Sequence, residues 1–121
     1  MNQVLSHGVL RVIFAIPFAV FGVMHLMAAD KMQGMVPSYV PGGIIWVYIT
    51  GALLILGAVG LILNKSAQVS GYILGGLMLI FVLTIHLPKL LGGDQSAMGS
   101  LLKDIALMGA ALFIGNSSSN K

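Results

Sequence analysis

The chain has 121 residues, of which 58% are hydrophobic and only 7% are charged, and its formal net charge is +3. Soluble domains carry charge on about a quarter of their residues, so this composition excludes an ordinary soluble globule and favours a protein embedded in a lipid bilayer. Because cysteine is absent and the six basic residues are scattered along the chain, disulfides, thiolate chemistry and a nucleic-acid-binding surface are excluded as well.

The first apolar segment, residues 12–29, contains one titratable side chain, His25. A bilayer core about 30 Å thick needs about 20 helical residues, so this segment predicts a membrane-spanning helix over residues 5–29. A cleaved signal peptide is the alternative, but the only basic residue near its start is Arg11 and no clear small-x-small cleavage site follows. We therefore interpret the segment as a true span. The methionines around His25 are more typical of core packing than of a copper site, so no metal site is predicted.

The connection that follows reads MVPSYVPGG over residues 35–43. Pro37 and Pro41 fix their own φ angles, and Gly42 and Gly43 leave the backbone free to turn into the next helix. The connection is interpreted as a stiff loop, and its functional interpretation is a lid over the mouth of a helix bundle.

Two further apolar segments predict helices over residues 43–63 and 67–87. The first of them opens with Trp46 and Tyr48, and such an aromatic pair is typical of the lipid headgroup level. The second is interrupted only by His86, close to its end. Both segments are long enough to span a bilayer as helices, which satisfy their own backbone hydrogen bonds.

The fourth apolar segment predicts a helix over residues 97–115 and carries Lys103 and Asp104 side by side. An aspartate at the centre of a membrane helix costs on the order of 3 kcal/mol on insertion scales, so Asp104 needs a partner such as a histidine or lysine at its own depth. Lys103 has a long stem that can extend to the headgroups. Since adjacent residues project about 100° apart on a helix, we expect Asp104 to face the interior and Lys103 the interface.

Together these segments predict an all-α, polytopic membrane four-helix bundle with short loops, formed by one domain over residues 1–121. Small residues at four-residue spacing, such as Gly71 and Gly75, favour close helix packing within this bundle or across a homo-oligomer. Four spans place both termini on one side of the membrane. The basic residues are divided evenly between the two sides, and we expect cytoplasmic termini in a bacterial inner (cytoplasmic) membrane.

This topology brings polar side chains to one depth in the leaflet opposite the termini. His25 and His86 end helices that run in the same direction, and Asp104 lies about 10 Å into a helix that begins on their side. A single histidine there is typical of an interfacial hydrogen-bonding group, but an intramembrane acid with two histidines indicates a candidate pocket. The residues expected to bind a ligand are His25, Trp46, Tyr48, Thr50, His86 and Asp104.

Helical phase predicts which residues support this pocket. Residues fourteen apart lie about 40° apart in projection, so Arg11 shares a stripe with His25, and Tyr72 shares one with His86. Both stripes are expected to face the bundle interior. The residues expected to have structural or secondary roles are Arg11, Pro37, Pro41, Tyr72 and Lys103.

The order of several short motifs resembles the DoxX family over nearly the whole chain. These motifs are an arginine early in the first helix, G-x-x-H at Gly22 to His25, the VP-x-x-x-P loop, W-x-Y-x-T-G at Trp46 to Gly51, IHLPKLLGG, and LLKDIALMGAAL. The resemblance implies a small four-helix membrane protein with a redox-linked role, since the family is related to the quinone-linked DoxD subunit of thiosulfate oxidation. Many relatives carry a glutamate where this chain has Leu54, so a mechanism that relies on that acid is not expected here.

Two classes of function follow from these residues and from the resemblance. In the first, the chain binds a quinone, with His25 and His86 on the carbonyl groups, Asp104 relaying protons and Trp46 against the ring; a variant is haem held by the two histidines, which we rank lower. In the second, the chain is a non-catalytic subunit that stabilises a larger membrane complex. The expected partners are the lipid bilayer and either a membrane complex or a second copy, with no nucleic acid.

Overall fold

The predicted all-α architecture is confirmed by a computed structural model, which describes residues 6–118 and contains no strand among them. The helices are α1 (His7–Met27), α2 (Ala29–Met32), α3 (Ile44–Leu63), α4 (Ala67–Phe81), α5 (Leu87–Leu91) and α6 (Ala97–Ser117). A 3-10 turn, Gln33–Met35, follows α2, and a π-helical turn, Val82–His86, joins α4 to α5. The predicted helix start at residue 5 lies outside the described residues.

Four helical stretches are long and apolar enough to cross a membrane: α1, α3, the continuous stretch Ala67–Leu91, and α6. The chain is therefore an integral membrane protein built as a helical bundle. The ends of α3 and α6 agree with the predicted ranges to within two residues. The third span is longer than predicted, because it continues through Pro88 to Leu91 instead of ending at residue 87.

A π-helical turn allows the third span to continue past a proline. Pro88 has no N–H to donate to the carbonyl group of Thr84, and its ring would collide with that carbonyl in a regular α-helix. The backbone widens over Val82–His86 instead, and the Thr84 hydroxyl donates to the Ile80 carbonyl at 2.6 Å. A π turn contains more residues than an α turn, so it changes the rotational position of every side chain that follows.

Glycines bring the helices into contact in pairs. A Cβ atom added at Gly22 would lie 2.9 Å from the carbonyl oxygen of Gly51, so α1 and α3 touch through their backbones. A Cβ atom added at Gly71 would lie 2.7 Å from the carbonyl oxygen of Ala111 and from the backbone of Gly115, so α4 and α6 touch in the same way. The predicted role of small residues in close packing is confirmed at Gly51 and Gly71.

The hydrophobic core contains three fully buried leucines, two of them, Leu61 and Leu74, in the half of the bundle that contains the termini. The third is Leu54, and α3 packs against α4. At the end that contains the termini the Arg11 side chain donates through Nε to the Leu61 carbonyl at 2.7 Å, which satisfies a carbonyl group at the end of α3. The order of close packing is α1–α3–α4–α6; within residues 6–118, α1 has no comparably close backbone approach to α4 or α6.

The turn before α6 sets the depth of Asp104. Asp94 accepts hydrogen bonds from the Ser96 hydroxyl and from the Ser96 N–H at 3.0 Å, and these bonds, the hydroxyl first, hold the pKa of Asp94 below its usual range. The helix then begins at Ala97, as predicted. Asp104 therefore lies about 10 Å along α6 from its first residue.

The Gly71 contact is tested by comparing Gly71→Ala with Gly76→Ala, in the same helix. An added Cβ at Gly71 meets backbone atoms that cannot move aside, whereas one at Gly76 meets nothing within 4 Å. We expect Gly71→Ala to lower the free energy of unfolding by about 1–3 kcal/mol, measured by SDS-induced unfolding, and Gly76→Ala to leave it unchanged or raise it. Equal effects of the two substitutions would contradict close packing of α4 on α6.

Candidate functional site

A half-open, mostly apolar cavity of about 830 Å³ begins at the end of the bundle opposite the termini and extends along α1 as far as Ile13. Its walls come from α1, α3, α4, the π turn and α6, and the loop between α2 and α3 covers it. Pockets for small molecules usually measure about 300–1,000 Å³ and are lined by apolar groups with a few polar ones. The cavity is therefore large enough for a small organic ligand.

The polar edge of the cavity is a hydrogen-bonded pair, His86 and Asp104. The Nε2 of His86 lies 2.8 Å from Oδ2 of Asp104, and the two side chains are only 16% and 7% exposed. With Asp104 ionised, Nε2–H of His86 donates and the carboxylate accepts. Lys103 lies beside them with Nζ 3.8 Å from Oδ1 of Asp104, while its side chain is 66% exposed. Asp104 thus has the partner that its burial requires, and Lys103 extends outward as expected.

The π turn places His86 beside Asp104. In a regular helix His86 would lie about 40° from Tyr72, and Tyr72 is on the exposed side of α4, where its hydroxyl donates to Oδ1 of Asn116 at 3.2 Å. The prediction that Tyr72 and His86 share an interior stripe is therefore wrong. The wider turn rotates His86 inward while Tyr72 stays outside, at the opposite end of the bundle from the cavity.

His25 is buried on the cavity wall, 6% exposed, and is fixed by its own helix. Its Nδ1–H donates to the Phe21 carbonyl at 2.8 Å, and its ring lies edge-on to Phe21 with centroids 4.6 Å apart. A Cβ atom at Gly51 would lie 2.7 Å from Cβ of His25, so α3 supports the histidine from behind. Since a neutral imidazole has one donor and one acceptor, Nε2 of His25 remains as an acceptor toward the cavity.

Two of the three residues predicted on α3 line the cavity, and one does not. Trp46 and Thr50 lie on its wall, and the Trp46 indole N–H donates to the Pro41 carbonyl. Tyr48 does not line the cavity and is 46% exposed. Tyr48 is two residues beyond Trp46, which turns it about 200° around the helix. The prediction of Tyr48 as a ligand-binding residue is corrected accordingly.

The covering loop contributes apolar side chains, and its glycines turn the chain into α3. Pro37 and Val40 line the cavity, whereas Pro41 contributes only its carbonyl group to Trp46. Gly42 and Gly43 have φ angles of 102° and 46°, and residues other than glycine rarely adopt such positive φ angles. The predicted turn at these glycines is confirmed.

Sequence reasoning missed several cavity residues that share a helix face with predicted ones. Ser100 and Leu107 lie four residues before and three residues after Asp104, and Phe21 and Phe18 lie four and seven residues before His25. Side chains three, four and seven residues apart lie on one helix face, so extending the pattern from Asp104 and His25 would have found them. Leu54, which stands where the resemblance to DoxX would lead one to expect a glutamate, lies in the fully buried core and not on the cavity wall.

Each histidine of the site has one nitrogen that is already hydrogen-bonded. Nε2 of His86 is bonded to Asp104 and Nδ1 of His25 to the Phe21 carbonyl, which leaves Nδ1 of His86 and Nε2 of His25. Within residues 6–118 there is no group of three or more His, Asp or Glu side chains placed to hold a metal ion.

A double-mutant cycle tests the strength of the polar pair. We expect His86→Ala and Asp104→Ala to couple by about 1 kcal/mol in the free energy of unfolding, because each leaves the other group without its partner inside the membrane. A cycle of Tyr72→Phe and Asn116→Ala, which removes an exposed hydrogen bond, is the matched control, with an expected coupling below about 0.5 kcal/mol. Equal coupling in the two cycles would contradict a buried pair.

Comparison with known proteins gives a family but no function. Neither a curated protein nor a solved structure matches the chain. The model of one family, a domain of unknown function named DUF8561, matches residues 14–115, which include every residue of the cavity wall except Ile13. The chain belongs to the DUF8561 family.

Proposed function

We propose that this protein is a quinone-linked membrane component of DoxX type that binds the head group of a quinone in the cavity opposite the termini. The observation that carries the proposal is an apolar cavity with a hydrogen-bonded histidine and aspartate on one wall and a second histidine, with an available acceptor nitrogen, on another. Quinone head groups are flat, apolar on their faces and polar at two opposite oxygens, so they need such a combination. The order of motifs that resembles DoxX supports the same proposal.

A bound quinone supplies two-electron, two-proton redox chemistry. Nε2 of His25 accepts a hydrogen bond from a ring hydroxyl when the imidazole is neutral, and donates one to a carbonyl oxygen when it is protonated. One atom can therefore serve both oxidation states of the ring, with Nδ1–H held on the Phe21 carbonyl throughout.

The wall that carries His86 and Asp104 holds a proton close to the cavity. Asp104 is placed between Nε2 of His86 and Nζ of Lys103. Lys103 is the most exposed of the three, so it connects the buried carboxylate to the membrane surface. We propose that protons reach the cavity along this row, from Lys103 to Asp104 and His86. Ser100, one helical turn before Asp104 on the cavity wall, offers a hydroxyl donor for the second ring oxygen.

A role as an accessory subunit is the second candidate, and the small extramembrane surface favours it. Within residues 6–118, the connections outside the four spans are the turn at residues 64–66, residues 28–43 and residues 92–96. None of them is large enough to bind a soluble electron donor by itself. Under this proposal the protein works beside a larger membrane complex. Purification in a mild detergent would then recover a stoichiometric partner, and wild-type protein alone would show no saturable quinone binding.

The proposed orientation, with cytoplasmic termini in a bacterial inner membrane, is tested by cysteine labelling. Because the chain has no cysteine, the variants Ser38→Cys and Lys65→Cys each carry one label site, on opposite sides of the bundle and both exposed. We expect a membrane-impermeant maleimide to label Ser38→Cys in cells with a permeabilised outer membrane, and to label Lys65→Cys only after the inner membrane is opened. The reverse pattern would contradict this orientation.

Quinone binding is tested with the fluorescence of Trp46, the only tryptophan in the chain and a residue of the cavity wall. We expect decylubiquinone to quench its emission in a saturable way. His25→Ala should weaken the apparent affinity of the reduced form, decylubiquinol, about tenfold, since it removes the acceptor of a hydrogen bond from a ring hydroxyl.

The matched control is His7→Ala, a histidine at the other end of the same helix and outside the cavity, which should bind like the wild type. A second comparison measures the apparent quinone affinity of Asp104→Asn and of Asp30→Asn, since Asp30 is an exposed acid outside the cavity. Linear, unsaturable quenching of the wild type, or equal affinities of His25→Ala and His7→Ala, would contradict quinone binding in the cavity.

A further inference from the structure

The cavity is elongated, and its polarity changes from one end to the other. On α1 its wall extends from His25 back to Ile13, a distance of about 18 Å at 1.5 Å per residue. The histidines, Asp104 and Lys103 all lie at the loop end. The Ile13 end is lined by apolar residues, among them Pro17 and Phe14. A ligand that fills this space has a polar head and an extended apolar body.

The apolar end opens toward the lipid between α1 and α4. Ile13 and Ile80 both line the cavity and are nevertheless 58% and 52% exposed, so they lie at an opening in the wall. Ile13 lies about 9 Å and Ile80 about 20 Å from the start of its span at 1.5 Å per residue, which places both within the hydrocarbon layer. The packing order explains why it exists, because α1 makes no comparably close backbone contact with α4 or α6 within residues 6–118.

Pro17 lies at this opening and alters the α1 backbone there. It is inside the helix and has no N–H to donate to the carbonyl group of Ile13, four residues earlier. Both residues line the cavity, so the interrupted hydrogen bond is on its wall.

We propose that the ligand is a long-tailed amphiphile, a prenyl-type quinone. Its ring lies in the polar layer that His25, His86 and Asp104 form at the loop end of the cavity, and its tail leaves through the opening between Ile13 and Ile80 into the bilayer. This inference rests on the proposed function and adds the direction of the tail and the route of access. A tail directed this way stays in an apolar environment along its whole length. The ligand reaches the polar layer from the membrane, without crossing water.

A second opening, on the loop side, provides the contrasting route. A smaller cavity of about 380 Å³ lies between the covering loop and the start of α5, and it shares Val36, Pro37 and Ile85 with the large one. Lys89, Ser38 and Tyr39 also line it. A tail that left by this side would pass the headgroup layer, where exposure of apolar surface to water costs about 25 cal/mol per Å². The two routes therefore predict different neighbours for the tail.

Photolabelling distinguishes the two routes. The full-length protein in lipid nanodiscs is incubated with decylubiquinone that carries a diazirine at the end of its tail, irradiated, and mapped by mass spectrometry, with excess unmodified decylubiquinone as competitor. We expect competed adducts near Ile13 and Pro17 on α1 and near Ile80 on α4. Competed adducts on Ser38, Tyr39 or Lys89 would overturn the proposal, since they place the tail at the loop side.

Bulky residues at the opening give a second measurement. Ile13→Trp combined with Ile80→Trp should reduce competed labelling about tenfold by crowding the opening. The control combines Ile16→Trp with Leu79→Trp, which are exposed on the same helices and do not line the cavity, and should label like the wild type. Melting temperatures of both variants should stay close to that of the wild type, because all four side chains face lipid.

The failure of this inference differs from the failure of the proposed function. Since the added tryptophans interfere with Trp46 fluorescence, binding of a tailless ubiquinone head group is measured by equilibrium dialysis. If the wild type binds neither probe, quinone binding itself fails. If both probes bind and the crowded variant labels like its control, only the tail route is overturned. If a diazirine phospholipid labels the same sites and is not competed by quinone, the ligand is a lipid and the quinone assignment is overturned.

Discussion

The hydrogen bond between His86 and Asp104 is the constraint on which the half of the bundle opposite the termini depends. A carboxylate about 10 Å into a transmembrane helix is costly unless its charge and lone pairs are satisfied, and Asp104 is 5% exposed. Its partner is on another span, so the bond fixes the rotation of α4–α5 relative to α6. The π turn before Pro88 makes this bond possible, because a regular helix would leave His86 on the same side as the exposed Tyr72.

The cavity is a consequence of how the remaining contacts are distributed. Glycine contacts hold α1 to α3 and α4 to α6, and two of the three fully buried leucines lie in the half of the bundle that contains the termini. At the other end the helices are held by the polar pair and by the covering loop, and α1 does not close onto α4 or α6 within residues 6–118. Space therefore remains between the two helix pairs. It has polar groups at one end and an opening to lipid at the other.

Much of the fold could be predicted from sequence because the bilayer restricts the choices. Span lengths follow from membrane thickness, and the alternating direction of the spans is enough to predict His25, His86 and Asp104 in one leaflet. The rotation of side chains was less predictable. Straight-helix geometry placed Tyr72 and His86 on one stripe, and only the local widening before Pro88 separates them. Tyr48 was misplaced because depth in the membrane was used without helical phase. The opening beside Ile13 exists because, within residues 6–118, α1 does not pack closely against α4 or α6. No local sequence pattern indicates this.

Nitrogen NMR of the histidine rings, with ¹⁵N-labelled histidine in lipid nanodiscs, tests most directly whether this polar layer is built to receive a ligand. We predict a His86 ring protonated at Nε2, with a hydrogen-bond shift that disappears in Asp104→Asn, and a His25 ring protonated at Nδ1 with an unprotonated Nε2. Addition of decylubiquinol, whose ring hydroxyl can donate to this nitrogen, should move the Nε2 resonance of His25 and leave that of His7 in place. A His25 ring protonated at Nε2, or one whose resonances do not respond to the quinol, would contradict a polar layer built for this ligand.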